Sequence, residues 1–226
     1  MDTKQKVRMS IDISMTLLSI VLMGGTIMFP DDRIHQLLGM LLLALWICHT
    51  VLNRHWFCSL FKGKYPPYRI LQIIVNCGIS VCALLLMISG LMMAWFLPFS
   101  VGEAISFART VHLVSSHWYY IFMCAHLGLH LAMIFSRLGL KGKSLGKRKV
   151  LLLKIILVLV CAYGIYAFIV RKIALYLFLR QLFFFFDLER GYILFAVDYL
   201  AILILIATAS QYIGKALLYL QSKKNG

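Results

Sequence analysis

The chain has 226 residues, 62% of them hydrophobic and only 14% charged, where a soluble domain carries roughly one quarter charged side chains. That balance excludes an ordinary soluble globule, and the unbroken apolar runs select bilayer-crossing helices of about 20 residues rather than a barrel. The net charge of +15 would suit nucleic acid if it formed one continuous face, but it is confined to alternate connections between the apolar runs.

Lys4, Lys6 and Arg8 precede the first run, and Arg54, Lys62, Lys64 and Arg69 surround the second connection. Arg137, Lys141, Lys143, Lys147, Arg148 and Lys149 crowd the fourth, and Lys215, Lys223 and Lys224 close the chain. Between them lie Asp31, Asp32, Glu103, Asp187 and Glu189. This is the asymmetry of the positive-inside rule, and it places both termini in the cytoplasm.

The first span is expected over 11–29, stopped by Pro30, Asp31 and Asp32. No small-residue cleavage site follows Gly24 and Gly25, so it reads as an uncleaved span rather than a signal peptide. The second span covers 34–53 and leaves through FKGKYPPYR, where Pro66 and Pro67 break any helix. The third covers 70–97 and stops at Pro98. A short external loop at 99–109 leads to the fourth at 111–135. The basic loop GLKGKSLGKRK superficially resembles a phosphate loop, but Lys141 occupies the place of the first glycine and Arg148 follows Lys147. It reads instead as a loop at anionic lipid headgroups.

The fifth span is 150–170 and the sixth 192–213. Between them, Arg171, Lys172 and Arg180 interrupt a stretch that also holds Phe183 to Phe186, so 171–190 reads as an amphipathic segment on the external interface, partly docked on the bundle. Asp12 and Asp198 fall within spans, where a carboxylate has a partner or a task. The cysteines Cys48, Cys58, Cys77, Cys82, Cys124 and Cys161 occur singly, without CxxC or CxxCH. A zinc knuckle, a dithiol site and a c-type haem are thereby excluded, and small buried side chains are the expectation.

The histidines set the functional question. His35, His49 and His55 belong to the second span and its exit, and His112, His117, His126 and His130 to the fourth. His35 and His49 are separated by thirteen residues, as are His112 and His126. Each pair therefore spans about 21 Å of helix and returns to within about 40° of one face. Both spans run from outside to inside, so His35 is level with His112 near the outer surface and His49 with His126 near the inner one. Two imidazoles facing each other at each of two depths describe two stacked bis-histidine haem b sites, with iron held by His35 and His112 (outer) and by His49 and His126 (inner).

Ligand sets using His117 or His130 are the alternative on the fourth span, although that pair diverges by about 140°. As spare groups they would hydrogen-bond propionates, border a quinone pocket or bind a third group. His55 beside Arg54 reads as a neighbour of propionates or lipid phosphates. Arg33, Arg54, Arg69 and Arg109 lie near the membrane faces as propionate partners, or else as snorkelling and topology charges. Gly39 and Gly128, near His35 and His126, are candidates for letting a macrocycle approach a helix. The rival readings are a histidine-rich metal transporter and a structural membrane subunit without cofactor.

The stretches HQLLGMLLLALWICHTVLNRHWFCSLFKGKY and ARTVHLVSSHWYYIFMCAHLGLHLAMI resemble a family of small bacterial cytochrome b-like membrane proteins, long catalogued only as a domain of unknown function. The resemblance covers roughly residues 8–138; its specific parts are the two paired-histidine spacings, LNRHW before a lysine-rich loop, and SHWYY before HLGLH. It implies a four-helix haem-bearing core in a bacterial membrane, and with the spans read above the chain is expected to be an all-α polytopic protein of six transmembrane helices in the cytoplasmic membrane. Residues 1–138 would form a four-helix dihaem core, and 139–226 two further spans with the segment at 171–190.

The resemblance also implies transmembrane electron transfer between a quinol pool and an external FMN-binding flavoprotein or other redox partner. It carries the ligand role onto His35, His49, His112 and His126, and a further part onto His117 and His130. This chain departs in Tyr119 and Tyr120 after Trp118, and in lacking a Rossmann fingerprint, a cysteine cluster or a flavin domain. Flavin chemistry is therefore expected on a partner.

Reporter fusions at Lys143 and at the C-terminus are expected to report cytoplasm, and fusions near Asp31 and Glu103 the external side. A cytoplasmic signal at Glu103 would break the common direction of the second and fourth spans.

Overall fold

The structure is a computed structural model that describes residues 3–96, 102–137 and 146–225. The expected stop at Pro98, the start of the loop at 99–109, and Lys141 and Lys143 of the basic loop lie outside those residues. The described residues are all-α: α1 (Thr3–Leu22), α2 (Asp32–Leu52), α3 (Arg54–Ser59), α4 (Pro67–Met92), α5 (Ala104–Arg137), α6 (Lys147–Val170), α7 (Ile173–Leu177) and α8 (Gly191–Asn225). Five of them, α2, α4, α5, α6 and α8, are long and apolar enough to cross a membrane.

The first span expected over 11–29 is not among these five, and α1 has other boundaries. α1 starts near the terminus, carries Lys4, Lys6, Arg8 and Asp12, and ends at Leu22. The stop is local: Gly25 takes φ +68°, a conformation that favours glycine, and a 3-10 turn over Thr26–Met28 follows. α1 nonetheless runs antiparallel to α2 along most of its length, since Arg8 Nη2 donates to the Leu52 carbonyl (2.8 Å) at one end and Phe29 meets His35 at the other. α2 starts at an Asp31 cap whose carboxylate accepts from the Arg33 amide (2.8 Å), with Asp32 in the first turn. Pro67 opens α4 where a missing amide hydrogen costs nothing.

The bundle is organised around α5. α4 packs antiparallel along one side and α8 along another, α6 lies against α8, and α1 and α2 form a hairpin that meets the rest more loosely. Close approach of α8 depends on two glycines. A Cβ on Gly128 would sit 2.2 Å from the Ala207 carbonyl oxygen, and one on Gly164 would sit 2.6 Å from that of Ala201. Gly128 therefore serves helix packing and not macrocycle access, because two residues along a helix turn it about 200° away from His126. An added Cβ on Gly39, by contrast, meets nothing within 4 Å.

The core joins both halves of the chain: Tyr119, Tyr120, Met123 and Cys124 of α5 meet Phe195, Tyr199 and Ile202 of α8, with Ile20, Ala83, Ala167 and Ile173 around them. Two of its phenols are satisfied, Tyr120 by the Tyr199 carbonyl and Tyr119 by Ser19 Oγ (3.3 Å). The outward faces stay apolar, as on α6 with Leu151, Ile155, Val158 and Leu159, which suits a hydrocarbon surround. Cys124 alone among the cysteines is fully buried; Cys48 and Cys58 are exposed, against the expectation, because their apolar surroundings are outward helix faces rather than core.

The stretch at 171–190 is docked, but as a short helix and an irregular strap rather than one amphipathic helix. Ile173 and Tyr176 are buried, the Leu177 carbonyl accepts from Trp118 Nε1 (3.0 Å), and Phe186 packs on Phe195. In the phenylalanine run the side chains alternate, with Phe183 and Phe185 outward and Phe184 and Phe186 inward.

Gly128→Leu is expected to destabilise the protein in detergent by about 1–3 kcal/mol through overpacking against α8. Gly39→Ala should leave the melting temperature unchanged or slightly higher.

Candidate functional site

The seven histidines divide into groups according to the helix face that carries them. α2 and α5 point the same way because α4 lies antiparallel to both: the Trp95 amide beyond its end donates to Gln36 Oε1 at the start of α2 (3.0 Å), while Ser89 and Asn76 reach His112 and His126 in descending order. His35 and His112 face each other at one end, ring centres 6.4 Å apart and planes inclined by 64°. At the other end His126 lies within electrostatic range of His49 and Asp12.

Three of these four rings are held through Nδ1. His49 Nδ1 meets Asp12 Oδ1 at 2.7 Å, and His126 Nδ1 meets Asn76 Oδ1 at 2.8 Å. Both oxygens accept, so each ring donates there. His112 Nδ1 lies 3.2 Å from Ser89 Oγ, whose hydrogen goes to the Leu85 carbonyl (2.6 Å), leaving that oxygen to accept as well. With Nδ1 protonated, Nε2 presents a lone pair, which is how an orienting partner prepares an imidazole to bind a metal. His35 Nδ1 is buried without a hydrogen-bond partner among the described residues.

The other histidines lie elsewhere. His130 is one turn beyond His126, ring centres 4.5 Å apart. His117 is buried on a different face of α5, stacked on Tyr176 (4.4 Å, 19°), with Nδ1 donating to the Leu113 carbonyl (2.8 Å). It belongs to the strap side of the bundle rather than to either histidine pair. His55 and Arg54 are exposed on α3, and Arg109 is exposed on the first turns of α5. Arg33 lays its guanidinium over the Trp95 ring (4.8 Å). Arg69 is engaged by its own loop, donating to the carbonyls of Lys64 (2.7 Å) and Ser59 (2.8 Å).

No group of three or more His, Cys, Asp or Glu converges among the described residues. His35 meets His112 across the two helices, whereas His126 has His130, His49 and Asp12 within electrostatic range.

Sequence reading singled out Asp12 and Asp198 without their partners, and passed over Ser89 and Asn76. A signal existed: Ser89 and Asn76 are thirteen positions apart on α4, close to the fourteen between His112 and His126 on α5, so two polar residues on an apolar span nearly match the histidine spacing. Asp198 is fully buried and accepts from Arg171 Nε (2.8 Å) and the Tyr163 hydroxyl (2.5 Å), with Arg190 at 3.4 Å. Arg171, expected among the charges that interrupt an interfacial segment, thus turns inward.

No family model, curated protein or solved structure matches the chain.

Asp198→Ala should destabilise the protein by about 3–5 kcal/mol, since it strands the buried Arg171 charge. Thermal unfolding in detergent reads the loss, and a melting temperature unchanged from wild type would show that the cluster carries no such weight.

Proposed function

We propose that this chain conducts electrons across a membrane through two b-type haems, one between His35 and His112 and one between His49 and His126. The observation that carries the reading is the facing pair His35 and His112. Imidazoles bound through Nε2 to opposite sides of one metal ion, each at about 2 Å, place their ring centres roughly 6 Å apart, and this pair stands at 6.4 Å. The Nδ1 partners of His112, His49 and His126, the open flank of Gly39 and the loose approach of α2 to the rest of the bundle suit the same groups.

Haem, when bound, supplies a one-electron couple at each level. The chain's own residues set the rest. Helices α2 and α5 fix the two levels about 21 Å apart along the axis. Asp12 and Asn76 lock the rings of one pair, and Ser89 one ring of the other. Asp12 adds a carboxylate to the His49 level, whereas Ser89 at the His112 level is neutral, so the two ends differ electrostatically. The charge asymmetry of the connections makes the His35 end external and both termini cytoplasmic, in the cytoplasmic membrane of a bacterium.

A ligand site for zinc or iron in transit would need three or four side chains together, a placement that no His, Cys, Asp or Glu group takes among the described residues. In this reading a quinol pool donates electrons at the membrane, and an external FMN-binding flavoprotein or another redox protein receives them. Membrane lipid covers the outward faces.

Purified protein made with adequate haem supply is expected to show a b-type reduced-minus-oxidised spectrum and about two haems per chain. His49→Ala and His126→Ala should remove the same haem and spare the other. Asp12→Asn should raise the potential of that haem alone, because a negative charge on a ligand favours the oxidised metal. Colourless protein, or loss of different haems in the two histidine variants, would overturn the reading.

A further inference from the structure

We propose that the pocket between the end of α6, α7 and the start of α8 binds a small planar monoanion: one aromatic ring bearing a carboxylate or phenolate oxygen. This inference does not rest on the haem reading. The cavity measures about 170 Å³ and is lined by Arg171, Lys172, Tyr176, Gln181, Phe195 and Tyr199 together with the strap. A cavity of about 150 Å³ takes a benzene ring, so the space admits one ring with small substituents and no fused pair. Phe195 and Tyr199, ring centres 4.4 Å apart, give it an aromatic wall.

The donors point to an anion. Arg171 is 93% buried by side chain, meets Asp198 through Nε, and keeps Nη2 buried without a partner among the described residues. Asp198 does not line the cavity and Arg171 does, so the carboxylate holds the guanidinium at Nε while the same side chain borders the pocket. A planar guanidinium matches a carboxylate.

Tyr176 adds a second donor. Its hydroxyl oxygen accepts from Gln181 Nε2 and from the Phe185 amide, both at 3.1 Å, so its own hydrogen is left to give. Arg171, Lys172 and Arg190 against Asp187 and Asp198 leave one net positive charge around the pocket, enough for one anionic oxygen.

The test is calorimetric titration of the full chain in detergent with 4-hydroxybenzoate, with uncharged 4-hydroxybenzamide and inorganic phosphate as comparators. The benzoate should bind saturably, the amide about tenfold more weakly, and phosphate more weakly still, the first step being the worth of one charge-assisted hydrogen bond. Arg171→Lys keeps the charge beside Asp198 and so the fold, but loses the planar fork; it should weaken benzoate binding about tenfold. Tyr176→Phe, with the helical circular dichroism unchanged, should weaken it by a smaller factor. Absence of saturable binding, equal binding of amide or phosphate, tighter binding of an uncharged benzoquinone, or a benzoate affinity that survives Arg171→Lys would overturn the proposal.

Discussion

Hydrocarbon offers no hydrogen bonds, so a polar group carried into a span is satisfied by its own helix or by a partner on another. This chain meets that demand at three levels. Asp12 of α1 takes His49 of α2, Asn76 of α4 takes His126 of α5, and Asp198 of α8 takes Arg171 and Tyr163 at the end of α6. Each pair fixes the depth of one helix against its neighbour. The apolar contacts around them are nearly indifferent to sliding, because one leucine surface resembles the next, whereas a buried ion pair or amide tolerates little displacement.

Helix α4 has the central part in this arrangement. It is mostly apolar, and two of its polar side chains, Asn76 and Ser89, reach the histidines. Running antiparallel to α2 and α5, it makes those two helices parallel, and parallel helices with equal histidine spacing bring those side chains to common levels. The proposed haem sites need nothing more elaborate from the fold. The same geometry explains why His117 is left out: it projects about 140° from His112, toward α7, and stacks on Tyr176 in place of another imidazole.

The N-terminal halves of α5 and α8 are covered by the strap that follows α6. Left-handed backbone at Lys172 and Leu179 brackets the short α7 and folds the chain back over the bundle. Aromatic side chains then alternate inward and outward along the strap, filling the space over Phe195 while presenting Phe183 and Phe185 to the surroundings. Because the strap buries Arg171 beside Asp198, it converts two charges that would be expensive in isolation into one neutralised pair, at the edge of the cavity proposed to take an anion.

Composition and charge order were sufficient for the class of protein. Apolar runs of twenty residues have one stable form in a bilayer, and five long helices stand where the sequence places spans. The paired spacing of His35 with His49 and of His112 with His126 is local helical arithmetic, so it too was legible. Local arithmetic does not say which helix lies beside which. That Asp12 holds His49, that Ser89 and Asn76 hold His112 and His126, that Gly128 seats α8 rather than a cofactor, and that Arg171 turns inward all depend on neighbours distant in the chain. The end of α1 at Leu22 likewise escaped a hydropathy reading, because the apolar run continues to Phe29 while the backbone turns at Gly25. Hydropathy records how each residue prefers its solvent; partners and turns are decided by packing, which brings together residues that no sequence window contains.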